Sequence, residues 1–255
     1  MSLIELFWPA FILAIALVLI HTVFGLEIIR RGVIFTDLAI GQVAAVGMAL
    51  SVAFMQAHYQ TLMTFSFAIM AALIITWATK KIPNIEAFIG LLYALGISSI
   101  MLILAQSSEG MELFSKLSAA DILFTSPKEL YNSLILYAFV GFVMFIIYPR
   151  MQGITKELLF FVMLAITVTS SVQAVGVLVV FALLIAPSYA GLVQDRFAPY
   201  AFASVFGSFS LVVAMIFSYY LDLPTGYAII FTTVSFSLLF VVLLSIKNIK
   251  ENNEE

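Results

Sequence analysis

The sequence predicts an all-α integral membrane protein, a polytopic helical bundle with about eight or nine transmembrane helices. Of the 255 residues, 64% are hydrophobic and only 10% are charged, and the mean hydropathy is +1.16. Soluble domains carry roughly 25% charged residues, and a soluble chain of this length could not hide so much apolar surface. The chain has no cysteine, which excludes disulfides, thiol catalysis and Cys-based metal sites.

Apolar runs of about 20 residues, the length that a helix needs to cross the bilayer core, define the elements in order. The sixth and seventh runs are separated only by Ser170, Ser171, Gln173 and Gly176. One of these two could therefore be a broken or re-entrant helix instead of a full crossing. The predicted spans are 4–25, 37–55, 60–79, 87–106, 130–148, 157–171, 174–193, 199–220 and 226–246.

Lys and Arg predict the orientation, because cytoplasmic loops retain positive charge. With the N-terminus outside, the outer connections would hold only Lys116 and Lys128. This asymmetry favours an odd number of crossings and a cytoplasmic C-terminus. The inner connections and the C-terminus would hold the other basic residues: Arg30, Arg31, Lys80, Lys81, Arg150, Lys156, Arg196, Lys247 and Lys250.

We expect one transmembrane permease domain over residues 1–246 and a polar cytoplasmic tail, disordered, over 247–255. The longest outer connection, 107–129, could form a short helix at the membrane surface. The sequence has no nucleotide-binding P-loop, no Gly-rich dinucleotide motif, and no Ser-His-Asp or HExxH arrangement. The chain is therefore not predicted to be an enzyme, and any energy must come from an ion gradient or from a partner.

Two polar residues stand out among the small residues of the second span, "FTDLAIGQVAAVG" (35–47). Small side chains allow close helix packing in lipid. Asp37 could face water, pair with Arg30 or Arg31, or face a cavity, because burial of a charge in lipid is expensive. Gln42 could bond neighbouring helices or line a polar path. Residues five apart lie about 140° apart on a helix, so Asp37 and Gln42 do not converge on one ion without distortion.

Two residues elsewhere are further candidates. His21, near the inner end of the first span, could be a metal ligand or proton carrier, or a hydrogen-bonding interior residue. Pro187 lies inside the apolar run 175–191, where proline removes a backbone hydrogen bond and usually kinks the helix. Interrupted helices often mark transport pathways, so Pro187 is either a gating element or a plain kink.

Four stretches, in order along nearly the whole chain, resemble the permease subunits of bacterial ABC importers for zinc, manganese or iron. "RRGVIFTDLAIGQVAAVG" resembles a paired-Arg turn followed by a helix with Gly-Asp and then Ser-His. "KLSAADILFTSPKEL" is similar to a Leu-Phe-Gly-Asp-Ile-Leu stretch. "AVGVLVVFALLIAPSYAG" is similar to Val-Gly-Val-Leu-Leu-Val followed by Ala-Leu-Leu-x-x-Pro-Ala, and "DLPTGYAII" to the Pro-x-Gly opening of the final helix.

The resemblance implies a permease of the bacterial plasma membrane that moves a divalent transition-metal ion inward. It implies a homodimer, a cytoplasmic ATP-binding subunit dimer and an extracytoplasmic metal-binding protein, with no nucleic acid and no cofactor bound by this chain. Asp37 matches the family's Asp, which with a following His is associated with the metal path. The candidate metal-contacting residues are therefore Asp37, Gln42 and His21.

The sequence departs from the family at two places. The family's His lies four residues after its Asp, where this chain has Gly41, and Gln42 follows one position later. The family also carries an Asp- and Ala-rich cytoplasmic helix between its fifth and sixth spans, whereas this chain has only "YPRMQGITKEL" (148–158). ATPase coupling would then rest on Arg150, Gly153 and Lys156, be reduced, or use "KKIPNIE" or "QDRF" instead.

Three other functions stay open from the sequence. An ATP-independent metal transporter or channel fits the short coupling segment, and uptake that survives loss of the ATPase would identify it. A permease for a larger ligand, such as a metal chelate, would be recognised by competition with chelates. A membrane scaffold would show no flux in proteoliposomes.

Overall fold

The computed structural model describes residues 3–105 and 122–252, and these residues form helices joined by short turns, as predicted. Eight helical segments in this part of the chain are long and apolar enough to cross a membrane, and a ninth helix is shorter. The α-helices are α1 (Leu3–Arg31), α2 (Thr36–Met55), α3 (Gln60–Lys81), α4 (Ile85–Leu104), α5 (Pro127–Phe142), α6 (Gly153–Val175), α7 (Val177–Val193), α8 (Pro199–Leu221) and α9 (Thr225–Asn252).

The start of α5 is fixed by local sequence. Ser126 caps the helix by accepting a hydrogen bond from the backbone N–H of Glu129, and the Glu129 carboxylate accepts one from the backbone N–H of Ser126. Pro127 follows at the first helical position, where its missing N–H costs nothing. A short 3₁₀ turn, Ile122–Phe124, precedes it. Lys116 and residues 107–121 of the predicted surface helix lie outside the described residues.

The break predicted between the sixth and seventh runs lies at Gly176. This residue has φ 87°, a conformation that favours glycine, and it alone separates α6 from α7. Helix α6 has 23 residues and is a candidate span, whereas α7 has 17. Phe181 of α7 stacks on Phe35, before α2, with ring centroids 6.4 Å apart. The break therefore lies between the two helices, and α7 is the one too short to count as a candidate span.

Contacts bring several turns together at one end of the bundle. Arg31, at the end of α1, donates from Nη2 to the Tyr148 hydroxyl at 2.6 Å. The backbone N–H of Phe35, before α2, donates to Glu86 Oε1 in the first turn of α4 at 3.2 Å. The α1–α2, α3–α4 and α5–α6 turns therefore lie at one end, which we call the basic end.

Helices α8 and α9 complete this arrangement. Tyr200, in the first turn of α8, meets Phe145 edge to face at 5.6 Å, close to Tyr148 of the basic end. Phe240 of α9 packs on Phe202 at 5.2 Å, and Phe236 packs on Phe209 at 6.2 Å. The two helices are thus antiparallel, and the end of α9 lies beside the start of α8. The connections that the sequence predicts to be inner, which hold most of the Lys and Arg residues, therefore lie together at the basic end.

The polar tail differs from the sequence expectation at its beginning. The structure continues α9 to Asn252, so residues 247–252 are helical and not disordered. The reason is that Lys and Glu, which are common in this stretch, are good helix formers that extend an existing helix at little cost.

Candidate metal path

Helix α2 is packed on several sides, as its small residues predicted. Gly41 lies against Val177 of α7, and Gly47 lies against the backbone carbonyl of Met63 in α3. On α4, Gly96 is in close contact with Gln42. These glycines let the neighbouring helices approach closely, which is the main source of helix association in lipid. The two polar candidates on α2, Asp37 and Gln42, are both buried in this packing.

Asp37 is buried in the second position of α2, with 1% of its surface exposed. Neither carboxylate oxygen accepts a hydrogen bond of standard geometry from any described residue. The described ion pairs do not include it either, since they join Glu27 to Arg30 and Arg31, and Arg31 to Glu157. Of the alternatives for Asp37, pairing with the double arginine is wrong in this structure. A buried carboxylate without a partner is costly, and in membrane helices it usually marks function.

The paired arginines instead belong to a polar network at the basic end. Arg31 Nε lies 3.3 Å from Glu27 Oε2, and Arg31 Nη1 bonds Glu157 Oε2. The Tyr148 hydroxyl accepts from Arg31 and donates to Glu27 Oε2 at 3.2 Å. The guanidinium also lies 4.3 Å from the centroid of the Phe160 ring. These contacts tie α1 to both sides of the α5–α6 turn, and we call Glu27, Arg31, Tyr148 and Glu157 the Arg31 network.

Gln42 and Asp37 do not meet on one face of α2. Gln42 is 5% exposed and packs against α4 at Gly96, whereas the position one turn after Asp37, Gly41, faces α6 and α7. A β-carbon built on Gly41 would lie 2.8 Å from Val177 Cγ2, with Val168 and Val172 at 3.6 Å. Valine side chains therefore fill the space in which a longer side chain at position 41 would project.

His21 is an interior residue of α1 with no exposed surface. Its Nδ1 lies 2.8 Å from the Leu17 carbonyl oxygen, and its Nε2 has no partner among the described residues. Within that same part of the chain, no group of three or more His, Asp or Glu side chains converges to hold a metal ion. Asp37, Gln42 and His21 are thus separate polar positions, and their role in metal contact stays a prediction.

Pro187 lies inside α7, which continues as a helix on both sides of it. Its ring packs against Gly207 of α8, where an added β-carbon would lie 2.8 Å from Pro187 Cγ. Ser237 of α9 donates to the carbonyl of the preceding residue, Ala186, at 2.7 Å. The proline segment is therefore held between α8 and α9, and its gating role stays a prediction.

The α5–α6 turn is as short as the sequence predicted. A π-helical stretch, Val143–Ile147, and a 3₁₀ turn, Tyr148–Arg150, extend α5 without a break, and α6 begins at Gly153 with φ 59°. Arg150 is exposed, and Lys156 Nζ lies 4.8 Å from the centroid of the Tyr148 ring. Between the two helical segments there are only two residues, so this turn contains no separate coupling helix.

A second turn at the basic end, 194–198, is more strongly organised than the sequence indicated. The buried Gln194 side chain accepts from the backbone N–H groups of Arg196 and Phe197 at 3.0 and 2.9 Å. It also donates to the carbonyls of Gly191 and Phe197 at 3.1 and 2.8 Å. Asp195, Arg196 and Phe197 are exposed, and Phe197 is 65% exposed. Only the presence of a glutamine at the end of an apolar helix could have signalled this clamp.

A protein of known structure shares this arrangement of helices. A chain of the solved structure titled "PsaBC from Streptococcus pneumoniae in complex with Fab" superposes with a TM-score of 0.73, covering 94% of each chain at 20% identity. That likeness shows the fold.

Similar sequences include two from Haemophilus influenzae that are named probable iron transport system membrane proteins. They are 28% and 27% identical over 61% and 72% of this chain, and the matches span 62% and 71% of those proteins. An uncharacterized membrane protein from Cyanophora paradoxa is 24% identical over 74% of this chain and 68% of its own length. The model of the ABC 3 transport family matches residues 3–246, almost the entire chain. The chain belongs to the ABC 3 transport family.

Proposed function

We propose that the chain is the membrane-spanning permease subunit of an ABC importer that moves divalent transition-metal ions, namely zinc, manganese or iron, into the cytoplasm. Membership of the ABC 3 transport family over residues 3–246 supports this function, as do the relatives named for iron transport. The permease acts as a homodimer in the bacterial plasma membrane with a cytoplasmic ATP-binding dimer and an extracytoplasmic metal-binding protein. Its N-terminus lies outside, since the basic end faces the cytoplasm.

The observation that carries the ion path is the buried carboxylate of Asp37, which has no partner among the described residues. Removing a carboxylate from water without a counter-ion is expensive, and no described cation is paired with Asp37. A divalent ion that passes α2 would supply the missing charge. Asp37 is therefore the primary ion contact, with Gln42 and His21 as weaker contributors from other directions. Tight coordination is not required, because conduction needs release as much as binding.

Coupling to the ATPase takes place at the basic end. Arg150 and Gly153 are exposed and Lys156 is half-buried at this turn, and the Arg31 network fixes the turn to α1. The turn at 194–198 offers a second surface, with exposed Arg196 and Phe197 held by Gln194. These two turns replace the longer cytoplasmic helix that this chain lacks between α5 and α6.

An ATP-independent transporter or channel is the second candidate, favoured by the gap of only two residues between Arg150, where the helical extension of α5 ends, and Gly153, where α6 begins. Reconstitution of the permease with its ATPase in proteoliposomes separates the two functions. We expect uptake of zinc, manganese or iron that requires ATP and stops when the ATPase is inactivated. Uptake that persists without the ATPase would contradict the importer and establish the second candidate. Competition by metal chelates would identify a larger substrate.

A further inference from the structure

A cavity of about 520 Å³ lies between helices at the end opposite the basic end. It is bounded by α1, α3, α5, α6 and the turn before α5. Seven polar residues line it together with a few apolar ones: Thr61, Thr125, Glu129, Asn132, Ser133, Ser170 and Gln173. Polar side chains within a membrane bundle need water or polar partners.

The polar lining follows helical periodicity. On α5, Glu129, Asn132 and Ser133 lie at positions i, i+3 and i+4, which share one helix face. On α6, Ser170 and Gln173 are likewise three residues apart. The polar faces of α5 and α6 are therefore directed at the same space.

The other side of α5 has the opposite character. Ile135, Phe139 and Phe142 are 71%, 55% and 54% exposed, as expected for side chains that contact lipid tails. The polar face is thus not a general property of the surface of α5. From Glu129 to Ser133 three polar side chains of α5 line the cavity, which indicates that the cavity holds water or a polar ligand.

The lining offers one kind of chemistry. Its donors are a carboxylate, two amides and four hydroxyls, and it contains no histidine among the described residues. Oxygen donors of this type suit hard or intermediate divalent cations that keep part of their hydration shell, such as Mn²⁺, more than they suit Zn²⁺. Glu129 is the single charged group of the described lining.

Among the described residues, one oxygen of the Glu129 carboxylate is left for this role. Both bonds that it accepts from Ser126, from the backbone N–H and from the hydroxyl, go to Oε2 at 2.8 Å. Within the described chain, Oε1 makes no hydrogen bond that would hold it away from the cavity. The helix cap therefore holds the carboxylate at the cavity through Oε2, and no described residue occupies Oε1.

We propose that this cavity is an entry chamber that receives a partly hydrated divalent cation through oxygen ligands, with Glu129 as its charged contact. The proposal rests on the proposed function and extends it. In each protomer, this chamber would be the first place where cations are selected, and it would favour those that prefer oxygen ligands. Asp37 then acts deeper along the path.

Cysteine labelling tests the chamber directly, because the chain has no native cysteine. We expect Asn132→Cys and Gln173→Cys, in the assembled permease, to react with a membrane-impermeant thiol reagent added from outside. Ile135→Cys, on the lipid-facing side of α5, is the control and should react little. Mn²⁺ should slow the labelling of Asn132→Cys and Gln173→Cys several-fold. Absence of labelling would overturn a hydrated chamber, and labelling that Mn²⁺ does not slow would overturn cation binding.

Two substitutions separate the charge of Glu129 from its cap. Glu129→Gln keeps a capping side chain, since glutamine also serves at this position of a capping box, but removes the charge. We expect it to abolish Mn²⁺ protection and to raise the Mn²⁺ concentration for half-maximal uptake several-fold. Ser126→Ala removes the cap and keeps the charge, so it should lower thermal stability with Mn²⁺ protection intact. Protection that survives in Glu129→Gln would overturn the role of Glu129.

The labelling result and the uptake result fail separately. Mn²⁺ protection in a permease that shows no ATP-dependent uptake would support the chamber and contradict the importer. Normal uptake without Mn²⁺ protection would support the importer and contradict the chamber.

Discussion

Gly41 of α2 and Val177 of α7 are packed so closely that a β-carbon on Gly41 would lie 2.8 Å from Val177 Cγ2. Gly41 lies one helical turn after Asp37, at the position where the resembling family places a histidine. In this chain the Val177 side chain fills the space beside that position. The departure from the family motif is therefore a change in packing between two helices as well as a change of one residue.

Gly41→Ala should destabilise the protein by about 1–3 kcal/mol, because the added methyl group overpacks the contact with Val177. Gly90→Ala is the matched control, since a β-carbon there meets nothing within 4 Å. It should be neutral or slightly stabilising. Thermal unfolding in detergent measures both. Equal stability of the two variants would contradict the packing account, and Val177→Ala should partly restore Gly41→Ala.

Arg31→Ala should destabilise the protein by about 2 kcal/mol, because it leaves the carboxylates of Glu27 and Glu157 without their shared cation. Arg30→Ala is the matched control: Arg30 is 51% exposed at its side chain and makes one ion pair at 3.8 Å. Exposed pairs of this kind contribute at most about 1 kcal/mol. Thermal unfolding of the two variants measures the loss of stability. A loss in Arg30→Ala as large as that in Arg31→Ala would contradict a stabilising role of the Arg31 network.

Pro187→Ala should leave the protein inserted and change the transport rate, because it restores a backbone hydrogen bond in a helix that we expect to bend. The buried position of Pro187 against Gly207 also predicts a small loss of packing. Uptake measured at matched membrane levels tests this. Unchanged flux would reduce Pro187 to a passive kink.

Labelling of introduced cysteines tests the orientation. Asn252→Cys, at the end of α9, should react only from the cytoplasm. Leu223→Cys, in the exposed α8–α9 turn, should react only from outside. Reaction of both from the same side would contradict the orientation that the Lys and Arg distribution predicts.

The helices could be predicted from the sequence because each depends on local apolar length, and the break at Gly176 is a local signal too. The partners of Arg31 could not be predicted in this way. Glu157 lies 126 residues away along the chain, and Glu27 and Asp37 are equally plausible nearby acids. The same is true of Gly41 and Val177, whose contact depends on how α2 and α7 pack. Contacts between residues far apart in the sequence therefore could not be predicted from local sequence patterns.

Asp37 itself was identified from the sequence, but its environment was not. The sequence left open whether it pairs with arginine, faces water or faces a cavity. The structure shows a buried carboxylate and assigns both arginines to Glu27 or Glu157. Because no described residue neutralises this carboxylate, Asp37 is a candidate contact for the transported ion.

The role of Asp37 in the ion path is tested by the metal uptake of Asp37→Asn in proteoliposomes that contain the ATPase. Asparagine is nearly the same size and carries no charge, so folding and membrane level should stay normal. We expect uptake to fall by about tenfold, which corresponds to about 1.4 kcal/mol. Gln42→Ala should reduce uptake less, because a neutral amide contributes less to a cation. Full uptake with an unchanged order of preference among zinc, manganese and iron in both variants would contradict the account and leave α2 a packing helix.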